Sequence, residues 1–232
     1  MLPLAEELKM STYEGILVSY NGASVHDVKT EETLFQQAIS TELANNILEH
    51  LSGFEVVSMV DHEDYMYVND AYFDIEFNVP EGHFNIVEYE TRGGNFKVQE
   101  VDDFDTVINQ PVNKILVAGN PDYLEKDHEM IRAPFEDKIT AAISAPFYYE
   151  YTDQGIDKAK ALDEVLPEMG ILPENIISFG DGQNDLSIIK YAGIRVAMEN
   201  AVSEILEIAD EVTTSNDADG IAEILERFLR RS

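Results

Sequence analysis

Cysteine is absent from this 232-residue chain, which removes disulfides, thiolate metal sites and cysteine nucleophiles together. Positive charge is scarce: 15 Lys and Arg stand against 46 Asp and Glu, a formal net charge of -31 at pH 7. A surface of that sign repels phosphate backbones and anionic lipid heads, so neither nucleic acid nor a membrane surface is an expected partner. No apolar run approaches the roughly 20 residues of a membrane span. Residues 1–10 carry two glutamates and no basic cluster, unlike a secretory signal. A cytoplasmic location is the expectation. No internal repeat and no low-complexity linker is found.

What is present is 44% hydrophobic residues, enough at this length to bury one large core or two small ones. Residues 2–10 have the spacing of a helix tail. An apolar run over 15–20 predicts a strand, and Asn21-Gly22-Ala23 breaks it as a turn. From 24 to about 145 the pattern predicts strands over 56–60, 65–68, 75–79 and 115–118 with helices over 41–51 and 121–132. Asn120 is placed as an N-cap and Pro121 at the first helical position. That mixture predicts an α+β unit with a mainly antiparallel sheet. Beyond 145, strands over 147–151, 176–179, 194–198 and 211–214 alternate with helices over 158–169, 185–191, 202–208 and 220–230. Such alternation predicts a parallel sheet covered by helices. The expected division is one domain inserted into another: 21–152 inserted, with 1–20 and 153–232 forming the host.

The chain is organised around Ile176-Ile177-Ser178-Phe179-Gly180-Asp181-Gly182-Gln183-Asn184-Asp185. An apolar strand ends there in a glycine-flanked carboxylate, the place where open α/β sheets carry their chemistry. Gly180 and Gly182 let the backbone approach a ligand closely. Asp181 suits a hard cation such as Mg²⁺, which prefers oxygen ligands shared with a substrate phosphate. Asn184 can donate to a phosphate oxygen without adding charge, and Asp185 is placed either to support this loop or to cap the next helix. A second stretch, Gln154-Gly155-Ile156-Asp157-Lys158, sets a lysine at a helix start, where the helix dipole opposes it. A phosphate held beside the helix start would supply the missing reason; an exposed surface lysine is the plainer alternative. His62, Tyr65 and Tyr67 are read as ordinary sheet surface.

These stretches, with Arg195-Val196-Ala197-Met198-Glu199-Asn200-Ala201 and Val212-Thr213-Thr214-Ser215-Asn216-Asp217-Ala218-Asp219-Gly220-Ile221-Ala222, resemble the Cof-like branch (type IIB cap) of the haloacid dehalogenase superfamily of phosphatases. Ser19-Tyr20-Asn21-Gly22-Ala23 resembles that family's entry into its cap, so the likeness covers nearly the whole chain. The resemblance implies a Rossmann-type parallel-sheet core with an inserted α+β cap and Mg²⁺-dependent hydrolysis of small phosphorylated metabolites such as sugar phosphates. It also implies Lys158 and Asn184 on phosphate and Asp181 on the metal. The family opens with Asp-x-Asp-Gly-Thr, whose first Asp attacks phosphorus, and a Ser/Thr motif follows. Neither precedes the strand at 15–20, so no catalytic nucleophile is identified. Asp103-Phe104-Asp105 follows a stretch of alternating polarity, unlike a buried parallel strand, and is read as a solvated turn of the cap.

Two expectations follow. In one, the chain belongs to a phosphatase whose N-terminal segment was lost, leaving an incomplete core and a chain inactive by itself, with Mg²⁺ held weakly. In the other, it is a noncatalytic remnant that binds phosphometabolites or forms homo-oligomers through exposed core-sheet edges.

Overall fold

The computed structural model describes residues 2–75 and 84–230. It divides into two compact units, Met1–Ile156 and Asp157–Ser232. The segment 1–20 thus clusters with the first unit, and the division falls at Ile156.

The first unit opens with helix α1 (Leu2–Glu7) and three short antiparallel strands, β1 (Ile16–Ser19), β2 (Ser24–Asp27) and β3 (Thr33–Gln36). Then come α2 (Thr41–Leu51), β4 (Val56–His62), β5 (Tyr65–Val68), β6 (Asp74–Ile75), β7 (Phe84–Asn85), α3 (Ile86–Gly94), β8 (Lys97–Glu100), β9 (Ile115–Gly119), α4 (Pro121–Arg132), β10 (Ile139–Ala145) and β11 (Tyr148–Asp153). Of the strand expected over 75–79, Ile75 lies in β6; the rest falls outside the described residues.

The main sheet of this unit has the order β10-β11-β9-β4-β5-β8. Every neighbouring pair is antiparallel except β5 with β8. Alternate side chains of a strand face opposite sides, and both faces are covered. Val56, Val60, Ile115, Val117, Tyr149 and Tyr151 pack with α2 and α4, while Val57, Met59, Met66, Leu116 and Ala118 pack with α3. Helix α2 forms because Ser40 accepts from the Leu43 N–H (3.3 Å) and because Ala44, Ile47, Leu48 and Leu51 recur on one face, all buried. Helix α4 starts as its sequence predicts: Asn120 Oδ1 accepts from Asp122 N (3.1 Å) and Pro121 follows the cap.

The turn after β1 is tied to this sheet. Tyr20, Asn21 and Gly22 have φ of 53°, 55° and 105°, a left-handed run that costs energy at a tyrosine. Two side-chain bonds hold it: Tyr20 Oη donates to Asp61 Oδ2 (2.5 Å) and Asn21 Nδ2 to Glu150 Oε2 (2.6 Å). Burial, then the neighbouring Asp61 carboxylate, pushes the Tyr20 phenol well above its ordinary range. Glu150 is buried, and it is met by Lys114 Nζ (3.1 Å) and Ser144 Oγ (2.5 Å).

The second unit is a parallel sheet ordered β12-β13-β14 (Ile177–Gly180, Ile194–Ala197 and Glu211–Val212). Its helices are α5 (Lys158–Val165), α6 (Leu186–Tyr191), α7 (Ser203–Leu206) and α8 (Gly220–Leu229). Helix α5 stops four residues short of the expected 169: Leu166 keeps helical dihedrals and its N–H still reaches Leu162 O (2.8 Å), but Pro167 has no N–H to continue the ladder. A small core of Ile189, Ala197 and Ile205 holds α6, β13 and α7 together. At the start of α8 a Cβ on Gly220 would stand 2.1 Å from the Thr214 carbonyl oxygen, so only glycine fits.

Arg195 closes the other end of β13. Its Nε and terminal nitrogen donate to both oxygens of Asp210 (3.0 and 2.6 Å), and its backbone N–H adds a third bond (3.0 Å). These bonds, the guanidinium's first, hold the Asp210 carboxyl at about 2. Because the folded value is depressed, the pair's contribution is present above the ordinary carboxylate range and is lost as pH falls from about 4 toward 2. NMR titration of the Asp210 carboxyl carbon is expected to show ionisation persisting to about pH 2 in the wild type. In Arg195→Gln the midpoint should return toward the ordinary range.

Candidate functional site

The carboxyl end of β12 carries the loop 180–185, and backbone bonds from the segment after β13 fix its base. Met198 N donates to Gly180 O (3.1 Å) and Val202 N to Asp181 O (2.9 Å). The loop then closes as a 3₁₀ turn over Gln183–Asp185, with Asp185 N donating to Gly182 O (2.9 Å).

Asp185 does not use its side chain to cap α6, one of the two roles its position allowed. It turns back instead. Oδ2 accepts from the amides of Asp181 (3.1 Å) and Gly182 (3.3 Å), and Oδ1 pairs with Lys158 Nζ. Two consecutive amides and an ammonium offer a carboxylate more than a single cap donor would. Gly180 makes room for this, since a Cβ there would lie 2.6 Å from the Asp185 Cβ.

Lys158 stands at the first position of α5. Asp157 offsets the unfavourable placement as N-cap, its Oδ1 accepting from Ala159 N (2.8 Å) and Lys160 N (2.9 Å). Ser187 Oγ, on α6, accepts from Ala159 N (3.4 Å), and Tyr191 Oη donates to Asp163 (3.2 Å), so α5 and α6 are joined along their length. Burial, then the hydrogen bond to Asp163, pushes the Tyr191 phenol up. Lys158 is 27% exposed and Asp185 14%, a pair sheltered from bulk water yet reachable from it.

Asp181 is exposed, and its Oδ2 accepts from Asn200 Nδ2 (2.9 Å). Sequence reasoning did not single out Asn200, although it belongs to the Val-Ala-Met-x-Asn-Ala stretch. Asn184 lies half-buried in the 3₁₀ turn. The structure thus brings Lys158, Asp185, Gly182 and Asp181 into one hydrogen-bonded chain, with Gly180 leaving room for Asp185 and Asn184 in the loop that links them.

Elsewhere, Asp103 caps a 3₁₀ turn over Phe104–Thr106, Oδ1 accepting from Asp105 N (3.0 Å), shortly after strand β8, which is exposed along its length. This is the solvated turn read from the sequence. His62 meets Gln110 (2.8 Å) and the Tyr65 and Tyr67 rings stack 6.1 Å apart at the sheet's β5 side.

Among the described residues no group of three or more His, Asp or Glu side chains converges as a metal cage. One exposed carboxylate at a strand end is nevertheless the donor Mg²⁺ uses when it shares its shell with waters and a substrate phosphate. Asp181 fits that role and no fuller one.

The profile of the haloacid dehalogenase-like hydrolases matches residues 1–225. The chain belongs to this family, and the α/β fold and the Cof-like motifs agree with it. It is similar to a haloacid dehalogenase-like hydrolase of Bacteroides thetaiotaomicron, with 31% identity, a TM-score of 0.82, and 98% of this chain and 81% of that one covered. The 5-amino-6-(5-phospho-D-ribitylamino)uracil phosphatase YitU of Bacillus subtilis is 25% identical over 220 residues, 92% of this chain and 76% of that protein. The HAD subclass IIB sugar phosphatase BT4131 shares the fold at 23% identity and a TM-score of 0.75, over 97% of this chain and 79% of that one.

Gly180→Ala is expected to push Asp185 out of its seat and to destabilise the protein by about 1–3 kcal/mol, the usual range for an added methyl with no room. Urea denaturation measures this directly.

Proposed function

We propose that the chain carries the phosphate- and cation-holding half of a phosphatase site for small phosphorylated metabolites, of which sugar phosphates are the type. Lys158 and Asn184 hold the phosphoryl group and Asp181 contributes to Mg²⁺. The observation that carries this reading is the ion pair of Lys158 with Asp185, which sets an ammonium at the loop that bears Asp181. The activities of the similar phosphatases support it. We take 1–20 with 153–232 as the core and 21–152 as the cap that would choose the substrate, in a cytoplasmic protein. Among the described residues no helix is long and apolar enough to cross a membrane.

Lys158 would donate charge-assisted bonds to phosphate oxygens while Asp185 orients its ammonium. Asn184 would add a neutral donor. When bound, Mg²⁺ neutralises charge on the phosphoryl oxygens. Covalent transfer also needs an in-line nucleophile, and the Asp-x-Asp-Gly-Thr motif does not occur in these 232 residues. The polypeptide of this sequence therefore binds phosphate without turning it over, and Mg²⁺ is held weakly.

A second role, self-association, is favoured by one feature: among the described residues β12 is an edge strand of its sheet, with no charged side chain along it. Parallel strands ordinarily lie between neighbours.

Incubated with Mg²⁺ and p-nitrophenyl phosphate or sugar phosphates, the chain is expected to release no phosphate. Turnover abolished by Asp181→Ala would overturn that expectation. In calorimetric titration with inorganic phosphate, Lys158→Ala should weaken binding about 10- to 100-fold, the loss of one charge-assisted bond; an unchanged affinity removes Lys158 from the site.

A further inference from the structure

Asn200 lies in the segment after β13, exposed to solvent. Its backbone surroundings are fixed on both sides. Met198 N is bonded to Gly180 O (3.1 Å), Ala201 N to Met198 O (2.9 Å) and Val202 N to Asp181 O (2.9 Å). From this anchored segment Asn200 Nδ2 reaches Asp181 Oδ2 at 2.9 Å. Among the described residues the Asp181 carboxylate accepts from no other group. An exposed aspartate left to itself samples several rotamers, whereas this one has an oxygen pinned by a donor whose own backbone cannot drift.

The chemistry of the donor matters. A lysine or arginine in the same place would hold the carboxylate equally well but would neutralise it and repel an incoming cation. An amide orients it without cancelling its charge. The arrangement commits Oδ2 and leaves Oδ1 uncommitted.

We propose that Asn200 is a positioning residue for Asp181, holding one carboxylate oxygen so that the other is presented to a divalent cation. This rests on the reading of Asp181 as the metal carboxylate. Groups that orient a ligand in this way commonly account for 10- to 100-fold in metal affinity, as an order of magnitude.

The test is a titration of the full chain with Mn²⁺ alone, followed by the electron paramagnetic resonance signal of the free ion. Asp181→Ala is expected to abolish the site. Asn200→Ala and Asn200→Leu, the second keeping the branched shape without the donor, should each weaken it about 10- to 100-fold. The melting temperature and the metal-free affinity for inorganic phosphate should stay unchanged. If Asp181→Ala abolishes binding while either Asn200 variant stays within about twofold of wild type, the positioning role is wrong and the assignment of Asp181 stands. If the Asn200 variants lose phosphate and Mn²⁺ affinity together, the side chain only supports the loop, and the proposal fails. If Asp181→Ala changes nothing, the assignment of Asp181 fails and takes the proposal with it.

Discussion

The second unit depends on where one carboxylate sits. Asp185 accepts from two successive amides and an ammonium, and through these bonds it fixes the turn after β12, the rotamer of Lys158 and the start of α5 relative to α6. Each charge-assisted bond contributes about 1.5–3 kcal/mol against an uncharged alternative, and the three are not independent, since moving the carboxylate loses all of them. Gly180 is the steric complement, because no side chain fits between the strand end and Asp185. A lysine at a helix start and a glycine at a strand end, each unfavourable locally, thus become mutually consistent once Asp185 is in place.

The first unit solves a similar problem with a different device. Its sheet is covered on both faces by apolar side chains, and the buried Glu150 carboxylate is met by a cluster of Asn21, Lys114 and Ser144. Removing a charge from such a cluster leaves its partner uncompensated, at a larger cost than an exposed pair would incur. The same cluster holds Asn21 in the left-handed region, and Asp61 does so for Tyr20. The strained turn is stabilised from outside by residues 41 and 129 positions away in sequence.

That distance explains what could and could not be read from the residues alone. Periodicity located the helices α2, α4 and α8 and the strands β4, β9, β12 and β13, because each carries a recurring apolar pattern and, in α4, a capping side chain. The antiparallel and parallel textures of the two sheets were legible for the same reason. The candidate residues Lys158 and Asp181 stood out through local anomaly, a cation at the wrong end of a helix and a carboxylate between glycines; Asp185 offered only the choice between supporting the loop and capping the next helix. Asn200 carries no such anomaly. It sits among ordinary turn residues, and only the pairing of β12 with β13 brings it to Asp181. The choice of Asp185 between capping and turning back was equally undecidable, since both geometries begin from the same position and the outcome depends on Lys158, 27 residues upstream.

The electrostatics of this arrangement constrain how the proposed site would bind its ligands. Lys158 is one positive charge beside two negative ones, Asp181 and Asp185, in a chain of net charge -31. A phosphate dianion approaching alone meets a local charge that is already negative, and its contact with Lys158 competes with Asp185 for the same ammonium. A cation on Asp181 reverses that sign within a few ångströms, where charges interact strongly even at an effective dielectric constant of about 20. Coupling between two ligands is reciprocal: if the cation raises phosphate affinity, phosphate raises cation affinity by the same factor. On the proposed reading, a single positioned carboxylate that would bind Mg²⁺ weakly by itself is then no defect of the site. It would make the two ligands depend on each other, so that the cation would be retained chiefly when the anion it neutralises is present.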